Sequence, residues 1–119
     1  MNKNLIAPCG MNCGLCVMYL RNENKCPGCM SGRKVNSRCI KCGIKLCKNR
    51  KGKYCFDCDK FPCERLKRLD TRYKERYGMS EIANLETIKE RGIEPFLLEE
   101  EKKWVNPDGI FCVHDKKRY

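Results

Sequence analysis

Apolar side chains recur three or four positions apart in the second half of the chain: Leu66, Leu69, Tyr73 and Tyr77. One face of an α-helix has this period, so the pattern predicts an amphipathic helix. Pro62 suits the first position of that helix, where an amide hydrogen has no helical partner. Gly78 suits its C-terminal cap, because glycine readily adopts a left-handed backbone.

Two further helices are predicted after this one. The second runs from Glu81 to about Arg91, with Ser80 as its N-cap and Gly92 ending it. Its apolar face consists of Ile82, Leu85 and Ile88. The third opens at Pro95 and carries a further apolar set: Phe96, Leu97, Leu98 and Trp104.

The two ends of the chain predict short elements. Residues 106–109 read Asn-Pro-Asp-Gly, which is a turn signal, and residues 110–114 resemble a short strand. We expect this strand to pair with the partly apolar residues 4–7, which would form a brief strand. A short helix is predicted from about Cys13 to Arg21, with Asn12 as its N-cap.

Cysteine takes the place of hydrophobic periodicity over residues 26–63. Eight cysteines fall there: Cys26, Cys29, Cys39, Cys42, Cys47, Cys55, Cys58 and Cys63. Three pairs have the spacing C-x-x-C, which lets both thiolates reach one tetrahedral metal ion. One such pair is weak evidence for metal, but three pairs interleaved with single cysteines are strong evidence.

The apolar composition also indicates that metal contributes to folding. Of 119 residues 41% are apolar, and setting aside the twelve cysteines leaves about 37 for a core, which is few for a stable domain. We therefore expect one small, α-rich α+β domain over residues 1–119. It comprises an irregular, metal-stabilised cysteine-rich lobe (residues 1–63) and a helical lobe with a C-terminal strand (residues 64–119).

The same cysteine content would suit a secreted disulfide scaffold. The N-terminal residues lack the apolar run of a signal peptide, and no stretch approaches the length of a membrane span. We therefore expect a cytoplasmic protein without membrane contact, where repeated C-x-x-C indicates metal binding.

The order of these motifs resembles a known family. It runs Cys9-Gly-x-x-Cys13-Gly-x-Cys16, Cys26-x-Gly-Cys29, Cys39-x-x-Cys42-x4-Cys47 and Cys55-x-x-Cys58-x-x-Phe61-Pro62-Cys63, followed by a helical tail. This layout is similar to a cysteine-rich prokaryotic domain of unknown function, number 3795. The resemblance implies a small metal-binding cytoplasmic protein and no particular reaction. Many members carry a late Cys-Pro-x-Cys-Gly, but the matching residues 105–109 here contain no cysteine.

Locality suggests three tetrahedral sites, although interleaved pairings are equally allowed. The first contains Cys26, Cys29, Cys39 and Cys42; the second contains Cys47, Cys55, Cys58 and Cys63. The third contains Cys9, Cys13 and Cys16, completed by Cys112 or His114.

We expect about three zinc ions, with an iron–sulfur cluster as the alternative, since clusters also take four cysteines. The spacing Cys9-x3-Cys13-x2-Cys16 is that of radical S-adenosylmethionine enzymes, but this chain is too short for their large barrel.

Positive charge is concentrated in two places. The formal net charge of +11 falls to about +5 if three zinc ions are each held by four thiolates. Residues 33–53 hold nine basic residues and no acidic ones, and arginines form a stripe beside the apolar face of the first long helix. Such surfaces suit phosphate contacts, or they offset thiolate charge. The candidate contacts are Lys45, Lys48, Arg50, Lys51, Arg65, Arg68, Arg72 and Arg76.

No arrangement of nucleophile and base is visible, and the chain has a single histidine. Enzymatic activity would require a zinc ion with an open coordination position. We therefore expect a zinc-binding adaptor for nucleic acid or for a protein partner, of undetermined oligomeric state. The alternative is a redox protein, either an iron–sulfur electron carrier or a thiol switch that ejects zinc when oxidised.

Overall fold

The computed structural model describes residues 2–23, 25–26, 28, 44, 47–49 and 51–119. Within them, 3₁₀ turns occupy Lys3–Leu5, Cys13–Leu15 and Cys55–Asp57. The α-helices are α1 (Val17–Leu20), α2 (Glu64–Tyr77), α3 (Glu81–Arg91) and α4 (Ile93–Trp104). Strands β1 (Val105–Asn106) and β2 (Gly109–Ile110) form one antiparallel pair. The described fold is therefore helix-rich with a short C-terminal sheet, which confirms the predicted fold class at that level.

Helix α2 confirms the predicted apolar face but begins later than expected. Leu66 is fully buried, and Leu69, Tyr73 and Tyr77 pack against the core. The helix begins at Glu64, with Cys63 as its N-cap, so Pro62 lies outside it. Gly78 ends it with φ 66°, as the sequence predicts.

A polar junction joins α2 to α3. The Ser80 hydroxyl accepts a hydrogen bond from the Ala83 amide at 3.0 Å, which confirms Ser80 as the N-cap. Asp70 on α2 accepts from the Ser80 hydroxyl at 2.8 Å and from the Ile82 amide at 3.0 Å. The buried Asp70 carboxylate therefore accepts hydrogen bonds from the first turn of α3, where amide hydrogens have no partner within the helix.

Helix α4 begins at Ile93, two residues before the predicted start at Pro95. Pro95 is the third residue of the helix, where an amide hydrogen would have no intrahelical acceptor, so proline is tolerated there. Phe96 and Leu97 are buried, whereas Leu98 is 60% exposed.

The predicted pairing of residues 110–114 with residues 4–7 is wrong. Lys3–Leu5 is a 3₁₀ turn, and Ile6 forms an isolated bridge with Asn12. The C-terminal strand pairs instead with β1, across the predicted turn. A partner three to five residues away has a far lower loop-closure cost than one about a hundred residues away. The predicted helix 13–21 is likewise divided, into the 3₁₀ turn Cys13–Leu15 and α1, although Asn12 does cap it.

The core contains residues from both lobes. Ile6, Leu15, Leu66, Leu85 and Val113 are each fully buried and belong to one cluster. The Val113 amide donates to the Leu15 carbonyl at 3.1 Å, which ties the C-terminal segment to the N-terminal loop. No helix in the described ranges is both long and apolar enough to cross a lipid bilayer.

Candidate metal centre

Four cysteines from the cysteine-rich lobe line one small cavity of about 30 Å³. They are the members of the second predicted site, and two apolar side chains complete the wall: Cys47, Cys55, Cys58, Cys63, Phe61 and Leu66. We name this the four-cysteine cavity. All four thiols are partly buried. A volume of this size has room for a single small ion or a water molecule.

Tight turns bring these cysteines to the cavity. The 3₁₀ turn Cys55–Asp57 is closed by the Asp57 amide donating to the Tyr54 carbonyl at 3.0 Å. The Phe61 amide then donates to the Cys58 carbonyl at 3.1 Å, which reverses the chain toward α2. A hydrogen bond of 2.9 Å from the Cys55 amide to the Pro8 carbonyl fixes the turn to the N-terminal loop.

Cys63 occupies the N-cap position of α2, and no side chain caps the helix there. The last cysteine of the four-cysteine cavity therefore lies directly before the first turn of α2.

The third predicted site lies on a second buried turn. Asn12 accepts a hydrogen bond from the Gly14 amide at 3.0 Å, and the Cys16 amide donates to the Cys13 carbonyl at 3.1 Å. Cys9 and Cys13 are buried and Cys16 is partly buried. The Asn12 side-chain amide also donates to Glu100 at 3.4 Å, which holds this turn against α4.

His114 already uses both of its ring nitrogens. Nδ1 accepts from the Val17 amide at 3.3 Å, and Nε2 lies 3.1 Å from the Tyr73 hydroxyl. Because Nδ1 accepts, the proton of the neutral ring must be on Nε2, which then donates to Tyr73. Burial lowers the pKa of His114, which favours this neutral form. A metal ion could bind His114 only if one of these hydrogen bonds broke.

Cys112, the other proposed late ligand, is fully buried. Burial raises the pKa of its thiol, and the nearby Asp115 carboxylate raises it further, while the backbone amides of Asp115 and His114 oppose the increase. The sulfur therefore contacts the C-terminal turn that contains its own neighbours.

Within the described residues, no three Cys, His, Asp or Glu side chains are gathered closely enough to hold a metal ion as they stand. Cys26 is buried, but its predicted partners Cys29, Cys39 and Cys42 lie outside the described residues. The ribbon-like first site therefore stays a prediction.

Glu81 is a buried acid that sequence reasoning missed. It is the first residue of α3 and is fully buried, and neither carboxylate oxygen has a hydrogen-bond partner in the described part of the chain. Burial raises the pKa of Glu81 to about 7; the nearby Cys9 thiol lowers it and the Asp70 charge raises it. The sequence did contain a signal, because Glu81, Leu85 and Ile88 follow one another at spacings of four and three on the buried face of a helix.

The predicted nucleic-acid contacts fall into three groups. The arginine stripe (Arg65, Arg68, Arg72, Arg76) is exposed along α2. Lys48 and Lys51 are also exposed, and Lys51 forms an ion pair of 2.9 Å with Asp59. Lys45 and Arg50 lie outside the described residues.

Comparison with known proteins yields one family. A model described as "Protein of unknown function (DUF3795)" matches residues 5–68. That range contains eleven of the twelve cysteines and both candidate cysteine turns, but it ends before Glu81, Cys112 and His114. Neither the curated proteins nor the solved structures contain a match. Since the matched range covers more than half of the chain, this protein belongs to the DUF3795 family, as its cysteine order suggested.

Proposed function

We propose that this chain is a small zinc-binding protein that acts as a binding module for nucleic acid. The observation that carries the metal proposal is the four-cysteine cavity. Its lining is the cysteine set that sequence locality assigned to one tetrahedral site. Zinc binds four cysteine thiolates in structural sites of this kind.

The size of the cavity favours a single ion over a cluster. A cavity of about 30 Å³ has room for one ion at the centre of four sulfurs. A four-iron cluster also takes four cysteines but places four irons and four sulfides among them. The side chains of Phe61 and Leu66 complete the wall.

Zinc would supply stability that the core alone lacks. A structural zinc site contributes on the order of 10 kcal/mol or more to folding. The described part of the lobe has only short turns and the four-residue helix α1, so little of its order comes from regular secondary structure.

The arginine stripe is the surface best suited to nucleic acid. Its members are spaced by three, four and four residues, so they share one face of α2 and extend along about 16 Å of its axis. Helix α2 starts directly after Cys63, so the stripe continues from the four-cysteine cavity. Arginine forms strong bidentate contacts with phosphate. We therefore expect weak binding that depends little on base sequence.

The first test is metal content. Protein purified anaerobically from cells should contain two to three zinc ions per chain by elemental analysis. Less than one metal ion per chain would contradict the proposal. Iron with acid-labile sulfide would contradict it in favour of an electron carrier.

The second test is salt-dependent binding of RNA and DNA. Each phosphate that is neutralised should contribute about −0.9 to the log–log salt slope on duplex DNA and about −0.7 on single strands. Arg68→Glu with Arg72→Glu should abolish binding and leave zinc content unchanged. The matched control is Lys89→Glu with Lys102→Glu, which makes the same charge change at exposed positions of α3 and α4.

Equal binding by the two double variants would show that the contacts lie elsewhere. Wild-type protein that binds neither nucleic acid at low salt would contradict the nucleic-acid proposal. A protein partner would then remain as the adaptor's target.

A further inference from the structure

Three buried charged residues in the described part of the chain are all acidic, and two of them are satisfied. Asp70 accepts from Ser80 and Ile82 and pairs with Lys74 at 3.2 Å. Glu100 accepts from the Trp104 indole at 2.9 Å and from Asn12 at 3.4 Å. Glu81 differs from both, because neither of its oxygens has a partner among the described residues.

An unpartnered buried carboxylate is unusual and needs a physical reason. Burying an ionised carboxylate without a partner costs several kcal/mol, so such a group either keeps a proton or meets a cation. A bound ion is one recognised reason for an otherwise unsatisfied buried polar group.

The Glu81 side chain lies near the acidic groups Cys9 and Asp70 and near the exposed Arg72 guanidinium. Tyr73 is partly buried, and burial together with the nearby Glu81, Cys9 and Cys16 raises the pKa of its hydroxyl. Cys9 and Cys16 are members of the third predicted site, so two of its three predicted thiolate ligands and the Glu81 carboxylate all lie near Tyr73.

The backbone fixes this arrangement. The Asn84 side chain on α3 donates to the Gly10 carbonyl at 3.0 Å, and Gly10 packs so closely that a Cβ there would come 2.5 Å from the Glu81 carbonyl oxygen. The loop that contains Cys9 is therefore held directly against the first turn of α3.

We propose that Glu81 is a metal ligand, and that it completes the site of Cys9, Cys13 and Cys16 in place of Cys112 or His114. Zinc accepts a carboxylate oxygen beside cysteine sulfur in a tetrahedral site. His114 is occupied by Val17 and Tyr73, and the Cys112 sulfur contacts its own turn. Of the three late candidates, Glu81 is the one whose carboxylate oxygens have no hydrogen-bond partner among the described residues.

Binding requires the ligands to rearrange, because the described Cys, His, Asp and Glu residues do not converge on one point as they stand. Each ligand cysteine loses its proton as the metal–sulfur bond forms, and the protons pass to solvent. This inference rests on the proposal that the chain binds zinc.

The test compares two buried carboxyl groups by isosteric substitution. Glu81→Gln and Glu100→Gln remove the same charge from adjacent helices, but only Glu81 lacks hydrogen-bond partners. After dialysis against a weak chelator, Glu81→Gln should retain one zinc ion fewer than wild type, whereas Glu100→Gln should match wild type. Circular dichroism at 222 nm verifies that both variants are folded.

Two further variants separate the competing ligands. Cys9→Ser should lose the same ion as Glu81→Gln, and the double variant should lose no more than either single one. His114→Gln should retain every ion. Wild-type zinc content in Glu81→Gln, or loss of an ion from His114→Gln, would overturn the assignment of Glu81 while zinc binding itself stood. Wild-type protein with less than one zinc ion would instead overturn both proposals.

Discussion

The two lobes are built on opposite principles. In the helical lobe α2, α3 and α4 contain 14, 11 and 12 residues, and glycines separate them. In the described part of the cysteine-rich lobe the longest helix, α1, has four residues. Yet residues 6–15 of that lobe form a run of ten consecutive buried residues, a length that no segment of the helical lobe matches. The less regular lobe therefore supplies the more deeply buried segment of backbone.

The two lobes differ in how their buried backbone amides and carbonyls find hydrogen-bond partners. Helices pair their own amides and carbonyls, whereas a buried loop needs individual turn bonds. The Ala7 amide donates to the Met11 carbonyl at 2.9 Å, and the Gly10 amide donates to the Ala7 carbonyl at 2.9 Å. The helices pack around this loop, so each lobe supplies part of the surface on which the other is buried.

The largest expected effect comes from metal removal. A strong chelator should abolish cooperative thermal unfolding and also reduce the helical signal at 222 nm. The physical reason is the shared core, because α2 and α3 lose the surface against which Leu66 and Leu85 are buried. Isolated helices of 11 to 14 residues are marginal in water. Circular dichroism before and after chelation, with zinc added back as the control, measures the effect.

An unchanged helical signal with cooperative melting in the chelated protein would contradict this expectation. The helical lobe would then be stable without the metal-bound lobe, and the two lobes would fold independently.

A smaller effect is expected from Gly10→Ala, which tests the contact between the loop and α3. Gly10 has φ 92°, and an added Cβ would come 2.5 Å from the Glu81 carbonyl oxygen and 2.9 Å from Leu85. Backbone strain and overpacking should together destabilise the protein by about 3 kcal/mol. Urea unfolding of the zinc-loaded protein measures the change.

Gly78→Ala is the matched control for that substitution. Gly78 also has a positive φ, of 66°, but a Cβ there would meet nothing within 4 Å. Only the left-handed backbone is then penalised, at about 1–2 kcal/mol. Equal losses in the two variants would show that the loop does not press on α3.

The helical lobe could be predicted from sequence because its signals are local. Ser80 and Gly78 sit at helix ends, and the spacing of Leu66, Leu69 and Tyr73 marks a buried face. The errors at Pro62 and Pro95 arose because proline is compatible with several positions near a helix start. The strand pairing failed because partner choice depends on loop closure across the chain, which a local pattern does not contain.

The candidate sites also include one that local sequence predicted and one residue that it missed. Locality placed Cys47, Cys55, Cys58 and Cys63 in one group, and the structure lines a cavity with these four. Glu81 was missed because an acid in the first turn of a helix usually faces solvent and favours the helix dipole. The spacing of Glu81, Leu85 and Ile88 on one helix face was a local signal of its burial. The close approach of Gly10, about seventy residues earlier, could not be predicted from a local pattern.

The smallest effect is expected from Asp70→Asn, which tests the polar junction inside the helical lobe. Burial alone would raise the pKa of Asp70, but hydrogen bonds from Ile82 and Ser80 and the charge of Lys74 hold it below its usual value. Glu81 on α3 is the other charged group that interacts with it. A hydrogen bond to a charged group contributes about 1.5–3 kcal/mol. Since asparagine keeps an acceptor oxygen, we expect a loss of about 1–2 kcal/mol in the free energy of unfolding.

The pH dependence of this loss follows from the direction of the shift. Because the pKa of Asp70 is lowered by folding, its ionised form stabilises the protein above the unfolded pKa, and this contribution is lost only as pH falls through the lower folded pKa. The loss in Asp70→Asn should therefore be the same at pH 7 and pH 5.5, where zinc remains bound. Asp108→Asn, in the exposed turn between β1 and β2, is the control and should change stability by less than about 0.5 kcal/mol. A loss that becomes smaller between pH 7 and pH 5.5 would mean that wild-type Asp70 takes up a proton in that range. The ionised carboxylate would then not be what stabilises the junction between α2 and α3.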